Sequence, residues 1–557
     1  MLLNFMETAT ALGCAPERIL RGVRRCVGPA DADYARGLTG TVTASTGAAG
    51  ADAAGAFTGA ATDSRQVMPG NIFFCIKGER VDGHDFALDA ASAGAGAVVA
   101  LRDPFPAGVR DAASGPDLPP VFLADDVEDA LLRLAARHRE SASATVIGLT
   151  GTAGKTTVKE VLARVLRERG RTERNPMNLN NGIGMPLSML NAAPDARFWV
   201  MEAGVSKVGD MEELARALRP DAALILNVGD GHAEGLGKGG AATEKARLLD
   251  FIQPGGTALV SGDYPELDKE CAARSAAFAA RNVRCLRFSA HNADVWCRAR
   301  YLGPAEQAAL TGSLRGRYAV CAGDVEFVCE APFFDTCAGA FGAENAAAVA
   351  ALALGLGLEP DEICRGLAAA QTPAQRFAVR YFFLPGRGRY TLVDDSYNAN
   401  PLSAGRVIPA AAEAAHGSGL PFVPVLGEML ELGEESPAAH ERLGEIVAAT
   451  RPAAVFWTGG QADCVRRGLH RGGLPGNLEE LPARVEDFAA RMEATGPALV
   501  LFKGSRANRL ERWVEALLRK AGETARPDGH RADTRRGAGG AYGRNSRMRA
   551  KGDGRVL

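Results

Sequence analysis

The sequence predicts an α/β protein of three successive units, the middle one built on a parallel sheet that carries a phosphate-binding loop. Three observations predict it. From Ala144 onward, short apolar runs alternate with helical stretches. A Gly/Thr-rich segment ending in Lys155 lies between one such run and a helix. The alternation then restarts near Thr372. Apolar runs separated by helices are the mark of a parallel sheet covered on both faces.

With 557 residues, the chain is long enough for roughly three to four domains. Hydrophobic residues make up 46% and charged residues 23%, ordinary for a globular protein with sizeable cores. A net charge of -2 supplies no global field for nucleic acid or an anionic membrane. The exception is Ala521 to Leu557, with nine Lys/Arg against four Asp/Glu, many Gly and few large apolar residues. It reads as a disordered basic tail without a dedicated partner. The 11 cysteines include no C-x-x-C pair, so neither a disulfide framework nor a zinc knuckle is indicated, and reduced cytosolic thiols are expected. Glu7 interrupts the first apolar run and no Lys or Arg precedes it, which argues against a signal peptide. The apolar stretch from Ala346 to Leu358 is too short to span a bilayer and reads as a buried Ala-rich helix.

The first unit is expected over residues 1–143. Residues 28–57, rich in Gly, Ala and Thr without a period, read as an irregular insertion. Strands are expected at Asn71 to Ile76 and Ala97 to Leu101, with helices at Asp85 to Ala93 and Val127 to Arg139. Ser141-Ala142-Ser143 marks the junction to the second unit, 144–371. Its strands are Thr145 to Leu149, Phe198 to Met201 and Ala222 to Leu226; the pattern blurs over 285–340 and a helix resumes near Glu344. The third unit, 372–520, has strands at Tyr390 to Val393, Phe422 to Leu426, Ala454 to Trp457 and Ala498 to Phe502.

The strongest local signal runs from Gly148 to Thr157, with Thr150, Gly151, Thr152, Ala153 and Gly154 leading into Lys155, Thr156 and Thr157. Glycines let backbone N–H groups converge on phosphate oxygens, and the helix N-terminus adds partial positive charge. Lys155 would reach the β- and γ-phosphates and the Thr156 hydroxyl would ligate Mg²⁺. Leu149 sits where the generic motif has its first Gly. Glu202 ends one strand and His232 follows another, both at the strand tips where ligands bind in open α/β sheets. The Glu202 carboxylate is a suitable oxygen ligand for Mg²⁺.

Further segments then fall into a pattern. They are Thr62-Asp63-Ser64-Arg65, Lys77-Gly78-Glu79-Arg80, Asn178-Leu179-Asn180-Asn181, Asp394-Asp395-Ser396-Tyr397-Asn398-Ala399-Asn400-Pro401, Leu426-Gly427-Glu428-Met429 and Lys503-Gly504-Ser505-Arg506. With the phosphate loop, they resemble the Mur ligases of bacterial cell-wall synthesis over roughly residues 58–520. The resemblance implies a three-domain architecture: a UDP-substrate-binding unit, a central P-loop unit and a Rossmann-like C-terminal unit. It implies a cytoplasmic, monomeric, ATP-dependent ligase that uses Mg²⁺, with UDP-N-acetylmuramoyl-tripeptide and D-alanyl-D-alanine as substrates. No nucleic-acid partner and no membrane insertion are implied.

It also assigns roles. Asp63, Ser64, Arg65, Lys77, Asn180 and Asn181 would hold the UDP-linked substrate. Asn345 and Asp395 would contact adenine and ribose, and Arg376 would face the phosphates. Lys245 stands where the family carries a lysine carbamylated by CO₂; with Thr156, Glu202 and His232 it would hold the metal. Glu344 and Gln375 depart from the family's His and Gly at those positions. Two other classes share the ATP loop. A small-molecule kinase would lack the UDP-type motifs, and a GTPase switch would need an Asn-Lys-x-Asp signal, which does not occur.

Overall fold

The computed structural model describes residues 5–12, 19–20, 57–106, 118–229, 233–236, 240–305, 315–333, 341–384, 388–476 and 478–524. Its strands form three sheets. The first contains β1 (Ile19–Leu20), β2 (Gly59–Ala61), β3 (Asn71–Phe74), β4 (Ala97–Ala100) and β5 (Val121–Leu123), in the order β1-β5-β4-β3-β2. Only the β1–β5 pair is antiparallel. The helix Val127–Ser141, capped by Asp126 accepting from the Glu128 and Asp129 amides, shares a core with this sheet. Residues 21–56, which take in 28–56 of the expected insertion, lie outside the described residues. Phe57, its last residue, is buried in the core.

The second sheet comprises β6 (Thr145–Thr150), β7 (Thr172–Arg174), β8 (Phe198–Glu202), β9 (Ala222–Ile225), β10 (Thr257–Ser261), β11 (Arg284–Ser289), β12 (Cys297–Pro304), β13 (Gly316–Ala322) and β14 (Val325–Ala331). The order is β14-β13-β12-β11-β10-β9-β6-β8-β7. Strands β7 to β12 are parallel, and β6 lies between β8 and β9. The described residues of the blurred stretch are largely strand. It contains the antiparallel edge β12-β13-β14, whose half-exposed strands alternate buried and accessible residues instead of forming apolar runs. The Ala-rich helix Phe341–Gly355 is buried along most of its length and packs on β12 and on the helix Lys155–Leu166. Alanine at nearly every contact lets the helix approach its neighbours closely.

The third sheet comprises β15 (Ala378–Leu384), β16 (Gly388–Asp395), β17 (Phe422–Gly427), β18 (Val455–Thr458), β19 (Leu478–Glu480) and β20 (Leu499–Lys503). Its order is β15-β16-β20-β17-β18-β19, antiparallel only at β15–β16. The edge strands β15 and β19 were not foreseen from the sequence; one is antiparallel and the other short. The last helix runs from Glu511 to Thr524, past the Ala521 boundary expected for the tail, and 525–557 lie outside the described residues. Among the described residues, no helix is long and apolar enough to cross a membrane.

Candidate active site

Parallel pairing brings the carboxyl ends of β6, β8 and β9 side by side, so the segments that follow them share one crevice. After β6 comes the phosphate loop. Gly154 holds a left-handed φ of 80°, and a Cβ there would sit 3.2 Å from Asn345 Oδ1, so glycine is required on two counts. The helix Lys155–Leu166 then starts with no side-chain cap, leaving its first amides free for an anion. Asn227, just beyond β9, fixes the loop from beneath. Its Oδ1 accepts from the Thr152 and Ala153 amides at 3.0 and 2.8 Å, and its Nδ2 donates to Ala153 O at 3.1 Å.

Glu202, at the tip of β8, is buried. Its Oε2 accepts from the Thr156 hydroxyl at 3.0 Å and its Oε1 accepts from Asn180 Nδ2 at 2.7 Å. Asn180 comes this close because Gly204 has no side chain; a Cβ at Gly204 would lie 2.7 Å from the Asn180 amide. Asn181 Oδ1 accepts from the Gly184 amide at 2.8 Å and so caps the next helix. Burial lowers the ammonium pKa of Lys155; Glu202 acts against this and the Arg376 cation reinforces it.

Lys245 lies in the helix Gly240–Ala246 and is only 2% exposed. Among the described residues its Nζ has no hydrogen-bond partner. Its pKa is pushed down to about 7, first by burial and then by the charge of Lys155, with Glu244 opposing. The neighbouring Glu244 is engaged elsewhere: its Oε1 accepts from the Gly209 and Met211 amides at 2.9 and 3.0 Å, and its Oε2 lies 3.3 Å from Arg247 Nε.

The third sheet supplies the opposite wall. Arg376 Nη2 donates to Thr156 Oγ1 at 3.4 Å, and its guanidinium stacks 4.1 Å from the Tyr397 ring centroid. Asp395 is clamped between Lys503 Nζ at 2.6 Å and the Phe377 amide at 2.9 Å. Asn400 Nδ2 reaches Thr152 O at 3.3 Å. Together these groups line a cavity of about 470 Å³ that includes Gly151 to Thr157, Asn180, Asn181, Glu202, Lys245, Asn345, Arg376 and Asp395.

Asp63, Ser64, Arg65 and Lys77 are not among the residues lining that cavity. Arg65 chelates Asp63 through Nε and Nη2 at 2.9 and 2.7 Å, with its side chain 86% exposed. Lys77 bridges to Asp82 through its backbone and is exposed. His232 lies outside the described residues. Among the described residues, no group of three or more His, Cys, Asp or Glu side chains gathers as a metal site. The donors that do converge, a hydroxyl and a carboxylate, are hard oxygens suited to Mg²⁺. Asn227, Asn175 and Lys159, which brace the loop and Glu202, were missed from sequence, because each acts through a contact with a distant segment.

Two family models match the chain: the Mur ligase middle domain over residues 149–353, and the Mur ligase family, catalytic domain, over residues 56–137. The UDP-N-acetylmuramoyl-tripeptide–D-alanyl-D-alanine ligase of Escherichia coli (strain K12) is 30% identical over 458 residues, covering 82% of this chain and 92% of that protein. The ligase of the same name from Bacillus subtilis (strain 168) is 29% identical over 464 residues, covering 83% and 93%. Among solved structures, MurF from Acinetobacter baumannii aligns with a TM-score of 0.68 at 28% identity, covering 83% of this chain and 93% of that one. MurF ligase from Thermotoga maritima in complex with ADP aligns with a TM-score of 0.66 at 28% identity, covering 84% and 98%. Matches at this identity across both the phosphate loop and the units flanking it leave one conclusion: the chain belongs to the Mur ligase family.

Proposed function

We propose that this protein joins D-alanyl-D-alanine to UDP-N-acetylmuramoyl-tripeptide at the cost of ATP, in the synthesis of peptidoglycan precursors. The observation that carries the reading is the convergence of Lys155, Thr156, Glu202 and Lys245 from the second sheet with Arg376 and Asp395 from the third around one cavity. A carboxylate is a poor acyl donor because its oxide is a poor leaving group. The substrate carboxylate oxygen attacks the γ-phosphorus of ATP, releasing ADP and forming an acyl-phosphate. The dipeptide amine, having lost its proton, then attacks the acyl carbon, and inorganic phosphate leaves.

Lys155 and Arg376 place positive charge where the transferred phosphoryl group gathers negative charge. Thr156, Glu202 and Lys245 as a carbamate would hold Mg²⁺, with His232 as a further ligand. When bound, Mg²⁺ offsets phosphate charge. The unpartnered, buried and easily neutralised Lys245 amine supports the carbamate, because only a neutral amine adds to CO₂. Asn345 and Asp395 are assigned to the nucleoside. Asp63, Ser64, Arg65 and Lys77 are assigned to the UDP end, with Asn180 and Asn181 nearer the reacting carboxylate. An adjoining cavity lined by Tyr397, Ser505, Arg506, Arg509 and Arg512 offers cations for the dipeptide carboxylate.

Each sheet draws its strands from one stretch of chain, which supports division at 143/144 and 371/372. The cytoplasm, which holds ATP and the nucleotide-linked substrate, is the proposed location, and a monomer the proposed state.

Purified protein should release phosphate and ADP only when the UDP-tripeptide and the dipeptide are both present. Lys155→Ala should reduce that turnover at least 100-fold. Phosphate retained on a product would point to a kinase instead, and hydrolysis with neither substrate to a nucleotide switch.

A further inference from the structure

Lys159 lies one turn beyond Lys155 on the same helix; it is fully buried and is not among the residues lining the cavity. A buried ammonium is tolerated only when its N–H groups are taken up and its charge is compensated. Here Nζ donates to Asn175 O at 2.6 Å and to Met177 O at 2.9 Å, and lies 3.5 Å from Glu202 Oε2. The two carbonyls flank a strained point, since Met177 holds a left-handed φ of 47°. One cation thus clamps the turn that opens the segment 175–181 onto the phosphate-loop helix.

That turn is also sewn to Glu202. Asn175 Nδ2 donates to Glu202 O at 2.9 Å and to Leu179 O at 2.8 Å, and Asn175 Oδ1 accepts from the Glu202 amide at 2.8 Å. Asn178, Asn180 and Asn181, farther along the same segment, line the cavity. We propose that Lys159 is a positioning residue: it sets the segment 175–181 at a fixed distance from the phosphate loop. Productive seating of the UDP-linked substrate's carboxylate then depends on it, while capture of the nucleotide does not.

The physical reason is one of tolerance. Attack on the γ-phosphorus needs the reacting atoms about 3–3.5 Å apart, so a shift of about 1 Å in the wall that carries the carboxylate is expensive. The nucleotide is held instead by backbone amides of a loop braced from Asn227, on the other side of β6. Removing the clamp should therefore act on one substrate and spare the other. The inference rests on the ligase reading above, because it needs the segment 175–181 to face the UDP-linked substrate.

The test uses the full-length enzyme with wild type, Lys159→Met and Lys159→Arg. Methionine keeps the length but has no N–H; arginine keeps charge and donors. For Lys159→Met we expect kcat/KM for the UDP-tripeptide to fall at least tenfold, with the KM for ATP and the calorimetric Kd for ADP within threefold of wild type. Lys159→Arg should regain more than half of that loss on a logarithmic scale. A parallel loss for both substrates, or an unchanged kcat/KM for the UDP-tripeptide, would overturn the inference. So would an arginine variant as impaired as the methionine one. Wild-type enzyme that fails to use the UDP-tripeptide at all would instead sink the ligase reading.

Discussion

The Thr156 hydroxyl donates to Oε2 of Glu202 at 3.0 Å, tying the first turn of the phosphate-loop helix to the tip of the neighbouring strand. Two hard oxygen donors thus meet beside the phosphate loop, where the proposed Mg²⁺ would be held. Glu202→Gln preserves shape and the contact with Thr156 but removes the negative charge. Turnover should fall about 100-fold, roughly 2.7 kcal/mol of barrier, while ADP binding without Mg²⁺ stays near wild type. Phosphate release measured across a Mg²⁺ titration decides the matter; an unaltered Mg²⁺ dependence would remove Glu202 from the metal site.

What the sequence revealed and what it hid follow from the range of the interactions involved. The phosphate loop was legible because its function depends on consecutive residues, Gly154 through Thr157, following a buried strand. The parallel strands were legible because burial on both faces leaves unbroken apolar runs such as Val146 to Leu149. The antiparallel edge β12-β13-β14 was not, because residues such as Arg298, Arg300 and Arg317 on its accessible side break up the apolar runs. Nor were Asn227 and Lys159, whose partners lie in other segments of the chain. Lys245 needed the family resemblance, since nothing near it in sequence indicates that it would be buried without a partner.

Arg65 probes the first unit. Its guanidinium is tied to Asp63 yet largely exposed, so it can turn toward a ligand without disturbing a core. If it holds the UDP end, Arg65→Ala should raise the KM for the UDP-tripeptide about tenfold and leave that for ATP nearly unchanged, as loss of a remote contact predicts. Steady-state kinetics with each substrate varied in turn provide the check. Equal rises for both would indicate a folding or closure defect.

Glu344 is buried at the start of the Ala-rich helix Phe341–Gly355. Its Oε2 pairs with Arg406 of the third unit at 2.8 Å, Oε1 has no hydrogen-bond partner among the described residues, and Tyr264 and Asp263 lie beside it. Burial raises its pKa from 4.5 to about 7, Asp263 adds to the rise, and Arg406 opposes it. Below pH 4.5 the carboxyl is neutral in both native and unfolded chains. As pH rises the unfolded chain ionises first, so native stability is lost progressively, and the loss is complete above about 7. It amounts to roughly 3 kcal/mol. Glu344→Gln escapes this titration. The stability of the variant relative to wild type should therefore increase from pH 5 to pH 8, and denaturant unfolding at the two pH values will show it. A difference independent of pH would place the Glu344 carboxyl at its ordinary value.

Lys245 gives the sharpest test, because an ordinary lysine is wrong for a metal site. An ammonium beside Lys155 and a divalent cation repels both, and hard cations require anionic oxygen. Addition of CO₂ to the neutral amine, with loss of a proton, inverts the charge and supplies two oxygens. The low pKa makes this accessible near neutral pH, where most surface lysines remain protonated. As pH falls through about 7 the amine is recaptured by protons, so activity limited by the carbamate should decline on the acid side. Lys245→Ala should be nearly inactive and partly rescued by acetate, whose carboxylate fits the vacated space. Lys245→Arg keeps the positive charge but cannot form the carbamate, and should fail as well. Wild-type protein equilibrated with ¹³C-bicarbonate should show a carbamate carbon resonance that both variants lack. Normal turnover by the arginine variant would eliminate the carbamate from the mechanism.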